Sequence, residues 1–228
     1  MGIFVFVGAS SAIAKCSAQL LISSGHEVIG ISRNANLAVY TAEHQVTNYD
    51  LTALPQLEGP IDGLVYFPGT INLKPFHRIT KEEFRSDFEI NVEGAIASIQ
   101  KYLPNLKLSH NASVVLFSSV AAQTGMPFHA SISISKGAIE SLTKSLASEY
   151  ASIIRFNAIA PSLTHTPLSE KFVSTPEKLE ASRQRNPMKK VGDPSEIAEV
   201  VSFLLNKATW MTGEILHVDG GLSSTRSI

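Results

Sequence analysis

Short apolar runs alternate with longer amphipathic stretches along the chain, and this alternation limits the possible folds more than any other feature. The apolar runs are rich in β-branched residues and predict strands over Ile3–Val7, Glu27–Ser32, Gly63–Tyr66, Ser113–Phe117, Ile153–Ile159 and Glu214–Val218, with a short strand near His44–Val46. The amphipathic stretches predict helices over Ala12–Ser23, Lys81–Tyr102, Ser133–Tyr150 and Pro194–Leu205. Strands that are apolar at nearly every position are typical of a parallel sheet buried between helix layers. We therefore predict a single α/β domain over residues 1–228, with a doubly wound parallel sheet and three αβα layers.

The composition excludes several classes of function. The chain has 228 residues, 17% of them charged, and a formal net charge of -1, which gives no indication of nucleic-acid or membrane-surface binding. No apolar run approaches the roughly 18 residues that span a bilayer, and the apolar start at Met1 is expected to be a buried strand rather than a signal peptide. Cys16 is the only cysteine, so a cytoplasmic location is expected. The histidines show no metal-ligand spacing, so no metal is expected.

The first predicted strand runs directly into a turn of small residues that opens a helix. A helix N-terminus offers free backbone N–H groups and the positive end of the helix dipole, and small residues let a diphosphate approach the backbone closely. The residues expected to bind that diphosphate are Gly8, Ser10, Ser11, Ala12 and Ile13. A plain tight turn between a strand and a helix would give the same local pattern.

Motifs in the same order along about 220 residues resemble those of the short-chain dehydrogenase/reductase family. The turn at Gly8 resembles Thr-Gly-x-x-x-Gly-x-Gly, with Ala12 and Ala14 in place of the second and third glycines. The segment ending at Gly69 resembles Asp-x-Leu-Val-Asn-Asn-Ala-Gly, with Tyr66-Phe67-Pro68 in place of Asn-Asn-Ala. Later matches are Arg155, Asn157 and Pro161 in Arg-x-Asn-x-x-x-Pro, and Val218-Asp219-Gly220-Gly221. The resemblance implies a Rossmann-type dinucleotide-binding domain and a nicotinamide-dependent oxidoreductase.

The end of the second strand bears on the choice of cofactor. In this type of fold it meets the adenosine ribose, where an acidic residue favours NAD and an arginine can hold a 2′-phosphate. Ser32 and Arg33 occupy this place, so we expect NADP(H) rather than NAD(H), although a solvated surface arginine is the alternative. Further cofactor contacts that the resemblance implies are Gln45, Val46, Pro68, Gly69, Lys136, Pro161, Leu163 and Thr166.

The resemblance also implies a catalytic set with one member replaced. Ser119, Lys136 and Asn91 match the family's catalytic serine, lysine and asparagine. Ile132 stands where the family carries the tyrosine that exchanges a proton with the substrate, and isoleucine can neither give nor accept one. A missing general acid typically costs on the order of 10²–10⁴ in rate. Ser119, a water bound to Lys136 and His129 are the candidate substitutes, although His129 also fits an ordinary loop histidine.

Three functions fit these observations. The first is an NADP(H)-dependent oxidoreductase that acts on a small carbonyl or alcohol with an atypical proton donor. The second is a catalytically impaired nucleotide-binding homologue that serves as a sensor or partner subunit, and the third is a folded chain that binds no nucleotide. Lys136 has an ordinary alternative too, as a helix-surface lysine paired with Glu140.

Three structural expectations complete the prediction. The resemblance implies a homodimer or homotetramer assembled through the helices over Lys81–Tyr102 and Ser133–Tyr150. The polar, proline-punctuated segment Ser162–Met188 is either a mobile lid over the site or a static surface excursion. Only about ten residues separate Arg33 from the next short strand, so a full crossover helix is not expected there.

Overall fold

The computed structural model describes residues 1–34 and 38–225, and it contains a parallel sheet flanked by helices. The strands are β1 (Ile3–Val7), β2 (Glu27–Ser32), β3 (Ala42–Gln45), β4 (Gly63–Tyr66), β5 (Ala112–Phe117), β6 (Ile154–Pro161) and β7 (Ile215–Val218). The helices are α1 (Ala12–Ser23), α2 (Lys81–Phe88), α3 (Gly94–Leu106), α4 (Ala130–Tyr150), α5 (Glu170–Val173), α6 (Pro176–Gln184) and α7 (Pro194–Asn206). The sheet order is β3-β2-β1-β4-β5-β6-β7, and every pairing is parallel. The predicted doubly wound α/β fold is confirmed.

Both faces of the sheet are buried, each under its own helix layer. Along β1, Phe4 and Phe6 point into a core shared with α1 and α7, whereas Val5 and Val7 point into a core shared with α3 and α4. Successive side chains of a strand alternate between faces, so a strand in this position must be apolar throughout. This is the physical reason for the continuous apolar runs in the sequence.

Several predicted boundaries are wrong for tertiary reasons. The helix predicted over Lys81–Tyr102 is interrupted by a π-helical turn at Glu89–Glu93, and it continues through Pro104 to Leu106. Near this end the Asn105 side chain donates to the carbonyls of Leu57 (3.0 Å) and Gly59 (2.8 Å). α4 begins at Ala130 rather than Ser133, and β3 covers Ala42–Gln45 rather than His44–Val46. The ends of β5, β6, β7 and α7 differ from prediction by one or two residues, as helix and strand ends commonly do.

Two segments outside the sheet and its main helices, Ser162–Met188 and the link between β2 and β3, were predicted only in outline. The stretch Ser162–Met188 contains helices α5 and α6, of which α6 is capped by the Thr175 hydroxyl accepting from the Lys178 N–H (3.3 Å). The link between β2 and β3 lies partly outside the described residues, and its described parts, 33–34 and 38–41, contain no helix. In that part the Tyr40 hydroxyl donates to the Ala9 carbonyl (2.6 Å). Among the described residues no helix is long and apolar enough to cross a bilayer.

Candidate active site at the carboxyl edge of the sheet

The parallel sheet brings most of the predicted site residues to one edge. The order of strands reverses between β1 and β4, and in open α/β sheets ligands bind outside the carboxyl ends of the strands at such a point. The residues at these ends or following them are Gly8, Ser10, Ser11, Ala12 and Ile13 after β1, Ser32 and Arg33 at β2, Gln45 and Val46 at β3, Pro68 and Gly69 after β4, Ser119 after β5, and Pro161, Leu163 and Thr166 at and after β6. Asn91 lies in the π-helical turn, and Ile132 and Lys136 lie on α4.

The turn at Gly8 requires glycine. Its φ is +80°, a left-handed conformation, and a Cβ added there would lie 2.6 Å from Cδ of Pro68. The N–H groups of Gly8 (2.9 Å) and Ala9 (3.1 Å) both donate to the Ile31 carbonyl, which fixes the turn against β2. Because Gly8 follows β1 and Pro68 follows β4, the chain segments after these two strands lie in close contact at this edge of the sheet.

The N-terminus of α1 fits an anionic ligand. Its N-cap residue, Ser11, makes no side-chain capping bond, and the first turn of α1 holds no acidic residue. In contrast, α2 and α7 each begin with a capping box, from Thr80 and Glu83 in the first case and from Asp193 and Glu196 in the second. The positive end of the α1 dipole is thus left without a compensating side chain, as a diphosphate site needs.

At the end of β2 the arginine predicted to favour NADP(H) is exposed. The guanidinium carbon of Arg33 lies 5.7 Å from the ring centroid of Tyr49, and the Arg33 carbonyl accepts from Nε2 of Gln45 (3.3 Å). Ser32 is fully buried, and its hydroxyl accepts from the Asn34 N–H (3.1 Å). Arg33 is thus exposed at the carboxyl end of β2, with its guanidinium over the Tyr49 ring.

Lys136 and Asn91 both face Gly69, and the missing side chain of this glycine leaves a space between them, the space beside Gly69. A Cβ added to Gly69 would lie 3.3 Å from Oδ1 of Asn91 and 3.4 Å from Nζ of Lys136. Asn91 is 1% exposed, and its Oδ1 has no hydrogen-bond partner among residues 1–34 and 38–225. A buried acceptor without a partner is unusual in a folded protein. This unpaired atom and the small residue opposite it fit a bound ligand.

Lys136 is a buried lysine rather than a surface one. It is 6% exposed, and Nζ donates to the Phe117 carbonyl (2.9 Å) at the end of β5. Burial lowers the pKa of Lys136 to about 8, because removal from water disfavours the ammonium form. The alternative pairing with Glu140 is wrong, since the Glu140 carboxylate accepts instead from Ser118 (2.7 Å) and Gln123 (2.9 Å).

Around Ile132 the structure distinguishes among the candidate donors. Ile132 is 5% exposed and apolar. Ser119 is half-buried and its Oγ accepts from the Ala121 N–H (3.2 Å), which leaves the hydroxyl proton available for donation. His129 is half-buried, and its Nδ1 lies 2.7 Å from the Pro127 carbonyl oxygen. The Ser133 hydroxyl donates to the Ala121 carbonyl, so that proton is already used.

The triplet Tyr66-Phe67-Pro68 differs from the family motif, and the side chains of Tyr66 and Phe67 pack in the core beside the site. The Tyr66 hydroxyl donates to the Ile90 carbonyl (2.6 Å) within the π-helical turn, and a Cβ at Gly94 would lie 2.1 Å from that hydroxyl. The Phe67 ring packs against other aromatic rings of the core at centroid distances of 5.0 and 5.3 Å. Tyr66 thus supports the turn that carries Asn91, a role that sequence reasoning missed.

Two further residues that sequence reasoning missed contact Asn91 directly. Its Nδ2 donates to Oγ1 of Thr70 (2.8 Å) and to the backbone carbonyl of Asp87 (2.7 Å). Asp87 lies four residues before Asn91, a spacing that places two residues on one helix face, so the sequence held a signal for this pair. Thr70 follows Gly69 and gave no such signal.

The segment after β6 is tied to the body of the protein at several points. Nζ of Lys171 in α5 donates to the Ile71 carbonyl (3.1 Å), and Nδ2 of Asn186 donates to the Asp219 carbonyl (2.6 Å). The Leu163 carbonyl accepts from the Gly192 N–H (3.0 Å). Within residues 1–34 and 38–225, no group of three or more His, Cys, Asp or Glu could hold a metal ion.

Known proteins match the chain over most of its length. A family model described as enoyl-(acyl carrier protein) reductase matches residues 8–223. Carbonyl reductase family member 4 of Danio rerio is 30% identical over 235 residues, and 3-oxoacyl-acyl-carrier-protein reductase of Thermotoga maritima is 31% identical over 239 residues, with 96% of both chains covered in each case. A tropinone reductase homologue of Arabidopsis thaliana is 36% identical over 174 residues, 75% of this chain and 57% of its own. The chain spans between 52% and 66% of the length of such tropinone reductase homologues.

Solved structures share the whole architecture. A short-chain dehydrogenase family protein from Francisella tularensis superposes with a TM-score of 0.88 at 26% identity, covering 99% of this chain and 100% of its own. The ligand-free aldohexose dehydrogenase of Thermoplasma acidophilum superposes with a TM-score of 0.89 at 29% identity, covering 100% of this chain and 96% of its own.

Proposed function

The chain belongs to the short-chain dehydrogenase/reductase family, and from this premise we propose that it is an NADP(H)-dependent oxidoreductase acting on a carbonyl or alcohol group of a small molecule. The observation that carries the proposal is the shared space bordered by Gly69, the unpaired Asn91 Oδ1 and the buried Lys136 Nζ. When bound, the nicotinamide supplies or accepts a hydride. The residues that would hold its diphosphate are those of the turn at Gly8 and the first turn of α1.

The proton that accompanies the hydride comes from Lys136 in this proposal. Ile132 takes the position of the family's tyrosine and offers no proton. The Lys136 ammonium, with a pKa of about 8, is a stronger acid than an ordinary lysine and is still largely protonated at neutral pH. The Ser119 hydroxyl orients the substrate oxygen with its free proton and passes a proton from Lys136, directly or through a water. A group whose pKa lies near the working pH is well suited to this transfer.

The pH dependence of the two reaction directions follows from this assignment. Reduction needs the protonated form of Lys136, so its rate is expected to be level below pH 8 and to fall as the pH rises through about 8. Oxidation of an alcohol needs the neutral amine, so its rate is expected to rise through the same range. Steady-state rates measured in both directions between about pH 6 and 10 test this. If the rate instead changes near the ordinary pKa of lysine, or if both directions show the same pH profile, Lys136 is not the proton donor.

The preference for NADP(H) rests on Arg33. We expect Arg33→Ala to weaken NADPH binding by about 10-fold or more, because a charge-assisted bidentate contact to the 2′-phosphate contributes roughly 1.5–3 kcal/mol. NADH binding is expected to change by less than about 2-fold, because NADH lacks that phosphate. Fluorescence titration with both cofactors provides the comparison. Equal weakening for NADPH and NADH argues that Arg33 acts on the fold of the turn and not on the phosphate.

A second function is favoured by one observation, the apolar side chain of Ile132. Under this second function the protein binds nucleotide and acts as a sensor or partner subunit, and it turns over little substrate. NADPH titration saturates under both proposals, and turnover with a panel of ketones and aldehydes separates them. Absence of binding at millimolar cofactor excludes both and leaves a chain that binds no nucleotide.

We also propose that the protein works as a single dinucleotide-binding domain assembled into a homodimer or homotetramer. Exposed Phe88 on α2 and Ile134 on α4 support this, because apolar side chains on these two helices face solvent in the isolated chain. Light scattering coupled to size exclusion tests the assembly, and a monomer at micromolar concentration contradicts it. The single cysteine supports a cytoplasmic location, which cell fractionation tests.

A further inference from the structure

We propose that Asp87, acting through Thr70, is a positioning residue that fixes the Asn91 amide with its oxygen, and not its nitrogen, toward the space that Lys136 borders. The inference rests on the proposed function, in which Asn91 and Lys136 belong to the catalytic set. Neither Asp87 nor Thr70 belongs to the family motifs that the sequence resembles.

The Asp87 carboxylate is buried and surrounded by donors. It is 4% exposed, and it accepts from the hydroxyls of Thr70 (2.7 Å, to Oδ1) and Ser131 (2.5 Å, to Oδ2) and, more weakly, from Nδ2 of Asn72 (3.4 Å, to Oδ2). An ionised carboxylate has no proton and can only accept. Thr70 must therefore direct its one hydroxyl proton toward Asp87.

The direction of that proton decides the orientation of Asn91. With its proton committed to Asp87, Oγ1 of Thr70 presents only lone pairs to Asn91 and accepts from Nδ2 (2.8 Å). The second N–H of the same amide donates to the Asp87 backbone carbonyl (2.7 Å). A flipped amide would set its oxygen against two acceptors in a buried place, which is unfavourable. Both N–H groups are thus used, and Oδ1 is left facing the space beside Gly69.

One carboxylate joins the elements around the site through these bonds. Thr70 follows Gly69 after β4, Asp87 lies in the last turn of α2 just before the π-helical turn, and Ser131 precedes Ile132 on α4. Of these bonds, those of Thr70 fix the Asn91 amide and present its bare acceptor oxygen near the Lys136 ammonium. Such an acceptor favours the ammonium form of Lys136, or a water bound to that ammonium. The ammonium is the form that gives a proton in reduction.

The matched pair Thr70→Val and Thr70→Ser tests the series of hydrogen bonds from Asp87 through Thr70 to Asn91, the relay. Valine keeps the shape of threonine and removes the hydroxyl, so kcat is expected to fall by about 10–100-fold while KM changes by less than about 3-fold, since misplaced catalytic groups act mainly on the chemical step. Serine keeps the hydroxyl and is expected to retain kcat within about 3-fold of the unmodified protein. Thr70→Ala, which removes the same hydroxyl and adds no bulk, serves if the valine variant does not fold. Retention of kcat in the variants without the hydroxyl overturns the proposal.

A readout that needs no catalysis separates this inference from the proposed function. The Asn91 side-chain amide protons, assigned in NMR spectra by their loss in Asn91→Asp, are expected to exchange slowly with solvent in the unmodified protein and in Thr70→Ser. Exchange is expected to be at least about 10-fold faster in Thr70→Val, because one of the two protecting bonds is gone. A protein with protected amide protons and no oxidoreductase activity refutes the function and supports the relay. Amide protons that exchange at the rate of an exposed asparagine in the unmodified protein overturn the relay whatever the activity.

Ser131→Ala is the control for general support of the Asp87 carboxylate. It removes one donor to Asp87 but leaves the bonds from Thr70 and Asn91 intact. Slow exchange of the Asn91 amide and a kcat within about 3-fold are expected. Loss of amide protection in this variant as large as in Thr70→Val contradicts a relay that runs through Thr70.

Discussion

Replacing Lys136 with methionine is expected to lower turnover by about 10²–10⁴-fold, the usual effect of removing a general acid. Methionine fills nearly the same buried space without charge, so the loss reports the ammonium and not a cavity. Cofactor titration by fluorescence and rates in both directions measure the effect. A variant that reduces substrate as fast as the unmodified protein excludes Lys136 as the proton source.

The same variant has a signature in stability. The folded protein releases the Lys136 proton near pH 8, whereas the unfolded chain holds it up to the ordinary value of 10.5. Between these values the unfolded state binds more protons, so the free energy of unfolding rises with pH, by about 3 kcal/mol in all. Lys136→Met is expected to lack this rise in chemical denaturation series recorded across that range. An equal rise in the variant would show that other groups cause it.

The second large effect is expected from Ile132→Tyr, whose phenol would give its proton directly to the substrate in place of the transfer from Lys136 and should raise turnover by about 10²-fold. Ile132 lies one helical turn before Lys136 on α4, so a tyrosine hydroxyl there would lie within the influence of the lysine charge, which lowers a phenol pKa. The wider ring has to be accommodated in a buried position, at a cost of about 1–3 kcal/mol in stability.

Ile132→Phe is the matched control, because phenylalanine brings the same ring and no hydroxyl. Turnover of Ile132→Phe is expected to stay at or below that of the unmodified protein, and its loss of stability is expected to equal that of Ile132→Tyr within about 1 kcal/mol. Equal turnover in the tyrosine and phenylalanine variants would show that a phenol at position 132 gives no proton to the substrate.

The parts of the fold that could be predicted are those set by local sequence. Buried strands such as Ile3–Val7 and the glycine at position 8 carry their own signals, because an apolar run and a left-handed turn each restrict the backbone without help from distant residues. The candidate catalytic positions Ser119, Lys136 and Asn91 follow from the resemblance to the family motifs. A parallel sheet necessarily brings strand ends together at one edge.

The parts that could not be predicted depend on contacts between distant residues. The π-helical turn accepts a hydrogen bond from the Tyr66 hydroxyl, 24 positions before the Ile90 carbonyl, and no local pattern reveals this contact. The partner of Lys136 is the Phe117 carbonyl, 19 positions away, whereas sequence spacing suggested Glu140. Helix α6 is polar and buries no residue, so it lacks the apolar period by which helices are recognised.

The most direct test of the central claim is a crystal structure of the protein with NADPH bound. We predict density for the diphosphate against the turn at Gly8 and the first turn of α1, with the nicotinamide beside Ser119 and Lys136. Diphosphate density elsewhere on the protein, or a nicotinamide ring separated from Lys136 by packed side chains, contradicts the account.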